Sequence, residues 1–323
     1  MKQGDGPFVS VHLSLSLYAG YGIMSKRILL SVAYDGTDYA GFQAQKSGVP
    51  TIEGELNRAL TELTGVPVEV IGASRTDSGV HARCNLAVFD TESRIPPEKF
   101  AYAINVRLPD RICVQSSMEV PADFHPRKCS TVKTYEYRIW NARMPDPMRR
   151  LYTYFSRYRL DIDRMREAAA FLVGEHDFKS FCSTYTSAKT TVREVLAVEV
   201  EEIPGGRAGI RTDRDTPAGH GRSRTGMENP AGRAGIPERE NAPAARMPRE
   251  IVIRVTGRGF LYNMVRIIAG TLMEVGRGAK TPDQIPDILS ACDRRAAGPT
   301  APACGLTLVR YEILEPGMER VFD

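Results

Sequence analysis

One short loop of the sequence is denser in reactive side chains than a turn requires. Residues 73–83, Ala-Ser-Arg-Thr-Asp-Ser-Gly-Val-His-Ala-Arg, include Arg75, Asp77, His81 and Arg83. A carboxylate beside guanidinium groups stays ionised at neutral pH, which suits a nucleophile and not a general acid. An aspartate in such a turn can also serve only to cap backbone N–H groups. Residue types alone therefore leave Asp77 either as a nucleophile or as a turn residue.

The same region also offers ligands for a metal ion. Asp77, His81 and Cys84 lie close together in the sequence, and Asp35 with Asp38 adds two carboxylates. No second ligand pair follows at zinc spacing, and the neighbouring arginines oppose a cation. We therefore expect no metal site. His81 is more typical of a hydrogen-bonded residue that orients the loop than of a metal ligand.

Two further candidates lie on predicted secondary structure. Residues 260–275 have the apolar pattern of a long helix that carries Arg266. An arginine on so apolar a helix needs an anionic partner if it is buried, or else its head group reaches solvent. Residues 133–138 alternate like a strand and project Tyr135 and Tyr137 to one face. Packing in the core is the simpler explanation for both tyrosines.

The charge of the chain is unevenly distributed. The 323 residues are 42% hydrophobic and 25% charged, which excludes a disordered or fibrous protein. Residues 204–249 hold nine arginines and five acids, which equals the whole net charge of +4. This segment lacks aromatic residues, so we expect a disordered insertion, either a tolerated surface insertion or a mobile RNA-contacting arm. An anionic partner must therefore meet a patterned basic surface or this segment.

The elements that position these residues indicate an α+β chain of two domains with largely antiparallel sheets flanked by helices. Alternating runs on both sides of the insertion predict two antiparallel strands joined by it. Further strands are expected at 27–34, 67–72, 85–89 and 134–140, and helices at 52–63, 97–106, 161–173, 260–275 and from Thr281-Pro282 onward.

The ends of the chain complete the predicted organisation. Residues 1–23 show no positive n-region or cleavage site, so we expect no signal peptide. Met24 precedes a strand and is an alternative start, which leaves open whether residues 1–23 are translated. No apolar stretch approaches a membrane span, and six scattered cysteines indicate reduced thiols in a cytoplasm. The predicted units are an extension (1–23), an N-terminal domain (24–122), a C-terminal domain (123–316) interrupted by the insertion (204–249), and a tail (317–323).

The loop that contains Asp77 resembles the signature loop of the tRNA pseudouridine synthase A family. Two departures stand out: the loop begins Ala-Ser-Arg where Gly-Arg is more usual, and the insertion is not part of the common core. Neither involves Asp77. Seven further blocks resemble the family in the same order, namely Tyr34–Gln43, Ile104–Asp110, Asp123–Arg127, Lys133–Asn141, Gly174–Phe181, Gly257–Gly276 and Ala301–Leu306.

This resemblance implies the pseudouridine synthase fold, with a catalytic cleft between the two domains, and an isomerase reaction. The enzyme would break the N1–C1′ bond of a uridine, turn the uracil and rejoin it through C5, without cofactor or metal. By the same resemblance Asp77 is the nucleophile, attacking either C1′ of the ribose or C6 of the base, and Arg266 is its ionic partner. Tyr135 lies against the target base, whereas Tyr137 is structural.

The resemblance also implies a homodimer and the substrate, which is positions 38, 39 and 40 in the anticodon stem-loop of tRNA. A paired uridine must be flipped out of its helix, and basic side chains would then hold the phosphates. Three alternatives remain: a pseudouridine synthase for other tRNA positions or another RNA, a non-catalytic RNA-binding protein, and a metal-dependent phosphohydrolase. Besides Tyr135, the candidate substrate contacts are Arg75, His81, Arg83, Arg107, Arg127, Lys128 and Arg258.

Overall fold

A ten-stranded sheet runs through the residues that the computed structural model describes, which are 25–184, 188–204 and 248–315. The strand order is β4-β1-β3-β10-β5-β9-β8-β7, while β2 pairs with β3 and β6 pairs with β5 beside this path. Within these ranges the pairs β3–β10 and β5–β6 are parallel and the others antiparallel. The strands are β1 (Lys26–Tyr34), β2 (Ile71–Gly72), β3 (His81–Thr91), β4 (Ile112–Val120), β5 (Thr131–Asn141), β6 (Tyr154–Ser156), β7 (Gly174–Asp177), β8 (Val192–Pro204), β9 (Arg249–Gly257) and β10 (Leu306–Ile313).

The last strand, β10, joins the two halves of the chain. It lies parallel to β3, with Thr307 opposite His81, and antiparallel to β5, with Leu308 opposite Tyr135. The predicted α+β architecture with mostly antiparallel strands and flanking helices is confirmed. The strands expected in two sheets nevertheless form one, because β10, which the sequence patterns did not reveal, bridges them.

Five helices of the described chain flank the sheet, and α1 follows its sequence pattern closely. The Thr51 side chain accepts a hydrogen bond from the Gly54 N–H at 3.1 Å and caps the first turn. Gly65 ends the helix in the left-handed region, with φ of 76°. No described helix is long and apolar enough to cross a membrane. The helices are α1 (Ile52–Thr64), α2 (Phe100–Asn105), α3 (Ile162–Ala170), α4 (Met264–Gly276) and α5 (Gln284–Ala291).

Several predicted boundaries are corrected by the structure. Helix α4 begins at Met264 and not at residue 260, because Asn263 has φ of 62° and breaks the helical path. Helix α5 begins at Gln284, since Thr281 and Pro282 form the preceding turn and not the cap and first residue of the helix. Helix α3 ends earlier and β2 is shorter than expected. The predictions for residues 1–23, for residues 205–247 of the insertion and for the tail lie outside the described residues.

Two hydrophobic clusters lie along the sheet. The first packs α1 and α2 on β1, β3 and β4, and the second packs α3, α4 and α5 on β5, β8 and β9. Strand β10 belongs to the predicted C-terminal domain, yet it contributes Leu308, Tyr311 and Ile313 to the first cluster. Tyr135 is half-buried and packs against both clusters. The two halves of the chain therefore meet at this residue.

Helix α4 lies in very close contact with the loop at residues 298–301. A Cβ atom on Gly270 would lie 1.8 Å from the carbonyl oxygen of Pro299, so the backbones could not approach as they do. The Gly298 N–H donates to the Thr271 hydroxyl at 2.9 Å, which fixes the loop on the helix. This contact requires a residue without a side chain in α4, although glycine is unfavourable within a helix.

We predict that Gly270→Ala destabilises the fold by about 2 kcal/mol or more, because the added methyl group must separate α4 from the loop. Urea unfolding followed by circular dichroism measures the effect. Gly259→Ala is the matched control, since its Cβ would meet only the Arg193 side chain, at 3.7 Å. Equal stability of the two variants would contradict the close contact.

Candidate active site

The loop that carries Asp77 is held by the segment that follows β1. The Phe42 N–H donates to the Thr76 carbonyl at 3.1 Å, and the Tyr34 and Thr76 hydroxyls are 2.7 Å apart. A Cβ atom on Gly41, where φ is 93°, would lie 2.7 Å from the Thr76 carbonyl oxygen. The backbone of this segment therefore supports the loop directly, with no intervening side chain.

Buried Asn85 on β3 holds the other side of the loop. Its side-chain amide donates to the Ser74 carbonyl at 2.8 Å and to the Tyr34 hydroxyl at 3.1 Å, while its oxygen accepts the Ser74 N–H at 3.2 Å. The Asn85 side chain thus satisfies both the N–H and the carbonyl group of Ser74 just after β2 ends, as a neighbouring strand would. Sequence reasoning missed this residue, because an isolated asparagine in a strand gives no distinctive pattern.

His81 lies beneath the loop and not in the space in front of it. Its Nδ1 accepts the Gly36 N–H at 3.1 Å and lies 3.2 Å from Asp35 Oδ1, and the side chain is buried. Asp35 and Asp38 both pair with Arg111. In the described part of the chain no three potential metal ligands form a cluster. These contacts suit a residue that orients the loop, and they engage the two carboxylates considered as metal ligands.

Asp77 and Arg266 form an ion pair across the two halves of the chain. Arg266 Nη1 is 3.3 Å from Asp77 Oδ2, and the two side chains are only 17% and 16% exposed. Arg266 also donates from Nη1 to the Asn263 side chain at 2.8 Å and from Nε to the Ala301 carbonyl at 2.7 Å. The guanidinium group is therefore fixed in orientation by three partners. Asn263, which sequence reasoning missed, holds it from the turn that begins α4.

The environment of Asp77 differs from that of a turn-capping aspartate. No described backbone N–H donates to its carboxylate, and Oδ1 accepts no hydrogen bond from any residue in the described ranges. Burial raises the pKa of Asp77, whereas the charge and hydrogen bond of Arg266 oppose that rise. One oxygen is thus paired and the other is available, which is the arrangement that a carboxylate nucleophile needs.

Tyr135 lies beside this pair, at the junction of the two clusters. Its ring meets Phe260 edge-on, with centroids 5.2 Å apart and an interplanar angle of 86°. Burial, with smaller effects of Tyr34 and Asp77, raises the pKa of Tyr135 well above its ordinary value, so the phenol stays protonated. Tyr137 is fully buried and donates its hydroxyl hydrogen to the Pro302 carbonyl at 3.0 Å, as a core residue.

A cavity of about 840 Å³ opens in front of Asp77, Tyr135 and Arg266, and residues from both halves of the chain line it. Asp77 is the one acidic residue among the described residues that line this cavity. The other charged lining residues are basic, and five aromatic side chains also line the cavity, which suits a nucleotide that brings phosphate groups and a flat base. The cationic lining residues are Arg75, Arg127, Lys133, Arg193, Arg258 and Arg266.

The structure therefore divides the predicted RNA contacts into two groups. Arg75, Arg127 and Arg258 line the cavity. The others do not: Arg83, Arg107 and Lys128 are exposed elsewhere, and His81 is buried beneath the loop.

Sequence reasoning missed two cations of the cavity wall, Lys133 and Arg193. Strand alternation could have revealed Lys133, because it lies two residues before Tyr135 and so on the same face. Arg193 gave no comparable signal, since its place depends on how β8 packs against the loop after β9.

The fold is that of the pseudouridine synthase class. A family model described as tRNA pseudouridine synthase matches residues 30–127 and 168–312. The chain is 41% identical to tRNA pseudouridine synthase A of Brevibacillus brevis over 283 residues, which cover 88% of this chain and 98% of that protein. It is 39% identical to the protein of the same name from Acetivibrio thermocellus, with the same coverage. The corresponding protein of Halalkalibacterium halodurans is 38% identical over 91% of this chain and 95% of its own length. The chain belongs to the tRNA pseudouridine synthase family, a family of isomerases.

We predict that Arg266→Met nearly abolishes pseudouridine formation at pH 7. Without the cation, the pKa of Asp77 rises further, so the neutral, unreactive carboxylic acid is favoured. The acid limb of the pH–rate profile should therefore shift to higher pH, and activity should partly recover as pH rises. Arg266→Lys keeps the charge but loses the planar fork, and we expect partial activity. A wild-type rate with an unmoved acid limb in Arg266→Met would contradict the pairing.

Proposed function

We propose that this isomerase converts uridine to pseudouridine at positions 38, 39 and 40 in the anticodon stem-loop of tRNA, with Asp77 as the nucleophile and without a cofactor. One observation carries the proposal: the unpaired oxygen of a buried carboxylate belongs to a cavity whose other charged lining residues are all cationic. Such a cavity attracts a polyanion and presents one reactive group to it.

The reaction that we propose begins with a uridine flipped out of the RNA helix, at a cost of a few kcal/mol. Asp77 attacks either C1′ or C6, and the N1–C1′ bond breaks. The uracil turns, a bond forms between C5 and C1′, and the bond between Asp77 and the substrate breaks. C5 loses its proton and N1 gains one. The product is an isomer of the substrate, so no oxidant, reductant or second substrate is needed. Tyr135 offers its ring as a surface for the detached base, and Arg266 keeps the carboxylate anionic.

The site supports this proposal over the alternatives of other classes. A non-catalytic RNA-binding protein would not need a nucleophile, yet Asp77, Tyr135 and Arg266 all meet at the cavity. A metal-dependent phosphohydrolase would need Asp35 and Asp38 beside Asp77, whereas both contact Arg111. A pseudouridine synthase for other tRNA positions or another RNA would share this site, so only mapping of the product separates the two. We further propose a cytoplasmic homodimer that cradles one tRNA, as the family resemblance suggests.

We predict that the wild-type enzyme releases tritium from tRNA labelled at C5 of uridine and that pseudouridine maps to positions 38–40. Asp77→Asn should bind tRNA almost normally but release no tritium, because the amide is not a nucleophile. Asp110→Asn, at an exposed aspartate outside the cavity, is the matched control and should keep full activity. Activity of Asp77→Asn above a tenth of wild type would contradict the assignment of the nucleophile. Product at other positions would favour the alternative substrate.

We propose that the arginines of the insertion strengthen tRNA binding electrostatically. Its end residues, Pro204 and Arg249, are opposite each other in the β8–β9 pair, so a short turn could join the strands. Arg249 contacts Glu202 at 2.9 Å and the Leu160 carbonyl at 2.5 Å, and therefore belongs to the sheet. The arginines between these two positions would add affinity for RNA without taking part in the chemistry.

We predict that replacing residues 205–247 by a short Gly/Ser turn leaves the single-turnover rate unchanged and flattens the salt dependence of tRNA binding. Binding measured at several salt concentrations gives the slope for both proteins. Loss of folding in the shortened protein would show that the segment belongs to the core. An unchanged slope would show that its arginines do not meet the RNA.

A further inference from the structure

Lys133 is a cation of the cavity wall that the proposed chemistry does not use. It lies on β5, two residues before Tyr135, and is opposite Tyr311 of β10 and Gly257 of β9. Its Nζ is 4.9 Å from the centroid of the Tyr311 ring. The side chain is half-buried and lines the same cavity as Asp77. The ammonium group is therefore directed toward the space that receives the substrate.

Lys133 differs from most other cations of the wall; only Arg75, which is exposed, likewise lacks a partner among the described residues. Arg266 pairs with Asp77, Arg258 lies 2.7 Å from Glu194, and Arg127 donates to the Gly72 carbonyl at 2.7 Å. In contrast, Lys133 Nζ has neither an ion pair nor a hydrogen bond with any residue that the structure describes, and it lies over the Tyr311 ring. An ammonium group withdrawn from water without an anion is costly. The missing anion is what a ligand could supply.

The other titratable and charged groups around Lys133 do not neutralise it. Burial lowers the pKa of Lys133 to about 8, and Cys129 opposes this shift slightly. Burial also raises the pKa values of the neighbouring thiol and phenols, so they carry no negative charge near neutral pH. Asp77, the one acidic residue among the described residues that line the cavity with Lys133, is paired with Arg266. The other titratable or charged lining residues are Cys129, Tyr135, Tyr262, Tyr311, Arg75, Arg127, Arg193, Arg258 and Arg266.

We infer that Lys133 Nζ is the binding position for a backbone phosphate of the substrate RNA, next to the flipped nucleotide. This inference rests on the proposed function. Two residues along a strand span about 6.5–7 Å, which is comparable to the separation of the base and a phosphate within one nucleotide. A base against the Tyr135 ring would therefore place its own phosphate near Lys133. The phosphate would replace the water that the ammonium group has lost.

The test compares three variants for tRNA affinity and for tritium release. Lys133→Met keeps an apolar stem over the Tyr311 ring but removes the charge, Lys133→Arg keeps the charge, and Lys179→Met is the control at an exposed lysine outside the cavity. We expect Lys133→Met to raise Kd and KM roughly tenfold or more, with kcat nearly unchanged, because a phosphate contact is present in both the ground state and the transition state. The slope of the logarithm of the binding constant against the logarithm of the salt concentration should decrease in magnitude by about 0.7–0.9, which is the contribution of one phosphate.

The pH dependence of binding separates a phosphate contact from a packing role. Wild-type affinity for tRNA should decline between pH 7 and pH 9 as Lys133 loses its proton, whereas Lys133→Arg should show a smaller decline because arginine stays charged. Circular dichroism of each variant checks that it is folded.

Two results would overturn the inference. The first is a Lys133→Met enzyme with wild-type Kd and salt slope, and the second is a Lys133→Arg enzyme with the wild-type pH dependence. If wild-type protein binds tRNA but releases no tritium, the proposed function is wrong. The affinity measurements on the Lys133 variants still decide the role of Lys133 in that case. If wild-type protein binds tRNA and releases tritium, and Lys133→Met binds tRNA with the same affinity, only the inference about Lys133 is wrong.

Discussion

The ion pair of Asp77 and Arg266 joins side chains that are 189 positions apart in the chain, and both are largely withdrawn from water. Either charge would be costly to bury alone, so the burial of each side chain depends on its pairing with the other. The rest of the site is arranged to keep this pair at contact distance. The segment after β1 and Asn85 fix the loop on one side, and Asn263 with the Ala301 carbonyl fixes the guanidinium group on the other.

Strand β10 connects the two halves of the sheet that carry the members of this ion pair. Because β10 lies between β3 and β5, the start of β3 after the Asp77 loop and the face of β5 that carries Tyr135 are two strand spacings apart, roughly 9–10 Å. Both elements therefore reach the same cavity, which Asp77 and Tyr135 line. The close contact of Gly270 with Pro299 has a related effect, since the loop it holds on α4 carries the Ala301 carbonyl that orients Arg266. Architecture and site geometry are therefore not independent.

Local signals in the sequence predicted much of this structure, and the failures have identifiable causes. Helix α1, which was expected at 52–63, and the antiparallel strand pair around the insertion both follow from patterns within a few residues. The start of α4 did not, because an apolar run cannot show that Asn263 adopts a left-handed conformation. Strand β10 was missed since its role is set by partners far away in the chain. Long-range pairing is the part of the fold that periodicity does not encode.

The same distinction holds for the site. Asp77 and Arg266 were predicted through motifs, and the structure brings them together. Lys133 and Asn263 lie within two of the family-like blocks, but nothing in those blocks singled them out as site residues. The predicted RNA contacts were chosen by charge alone, and charge does not say which face of an element an arginine occupies. Thus Arg127 reaches the cavity wall, whereas Arg107 donates to the Ala103 carbonyl of α2, the helix that precedes it. Residues held by distant partners become visible only when the fold is known.

The distribution of charge explains how a chain of small net charge can present a basic cavity. Acidic residues on the opposite face of β5 and β9 are neutralised in place: Glu136 contacts Arg138 and Arg254, and Glu250 contacts Arg138. Burial alone would raise the pKa of Glu136, but its two arginine partners bring it below the usual value, so the carboxylate stays ionised within that network. With these acids engaged away from the cavity, the cations of its wall face a single carboxylate. Segregation of paired acids on one face and cations on the other therefore creates a field for a polyanion that the total charge of the chain does not reveal.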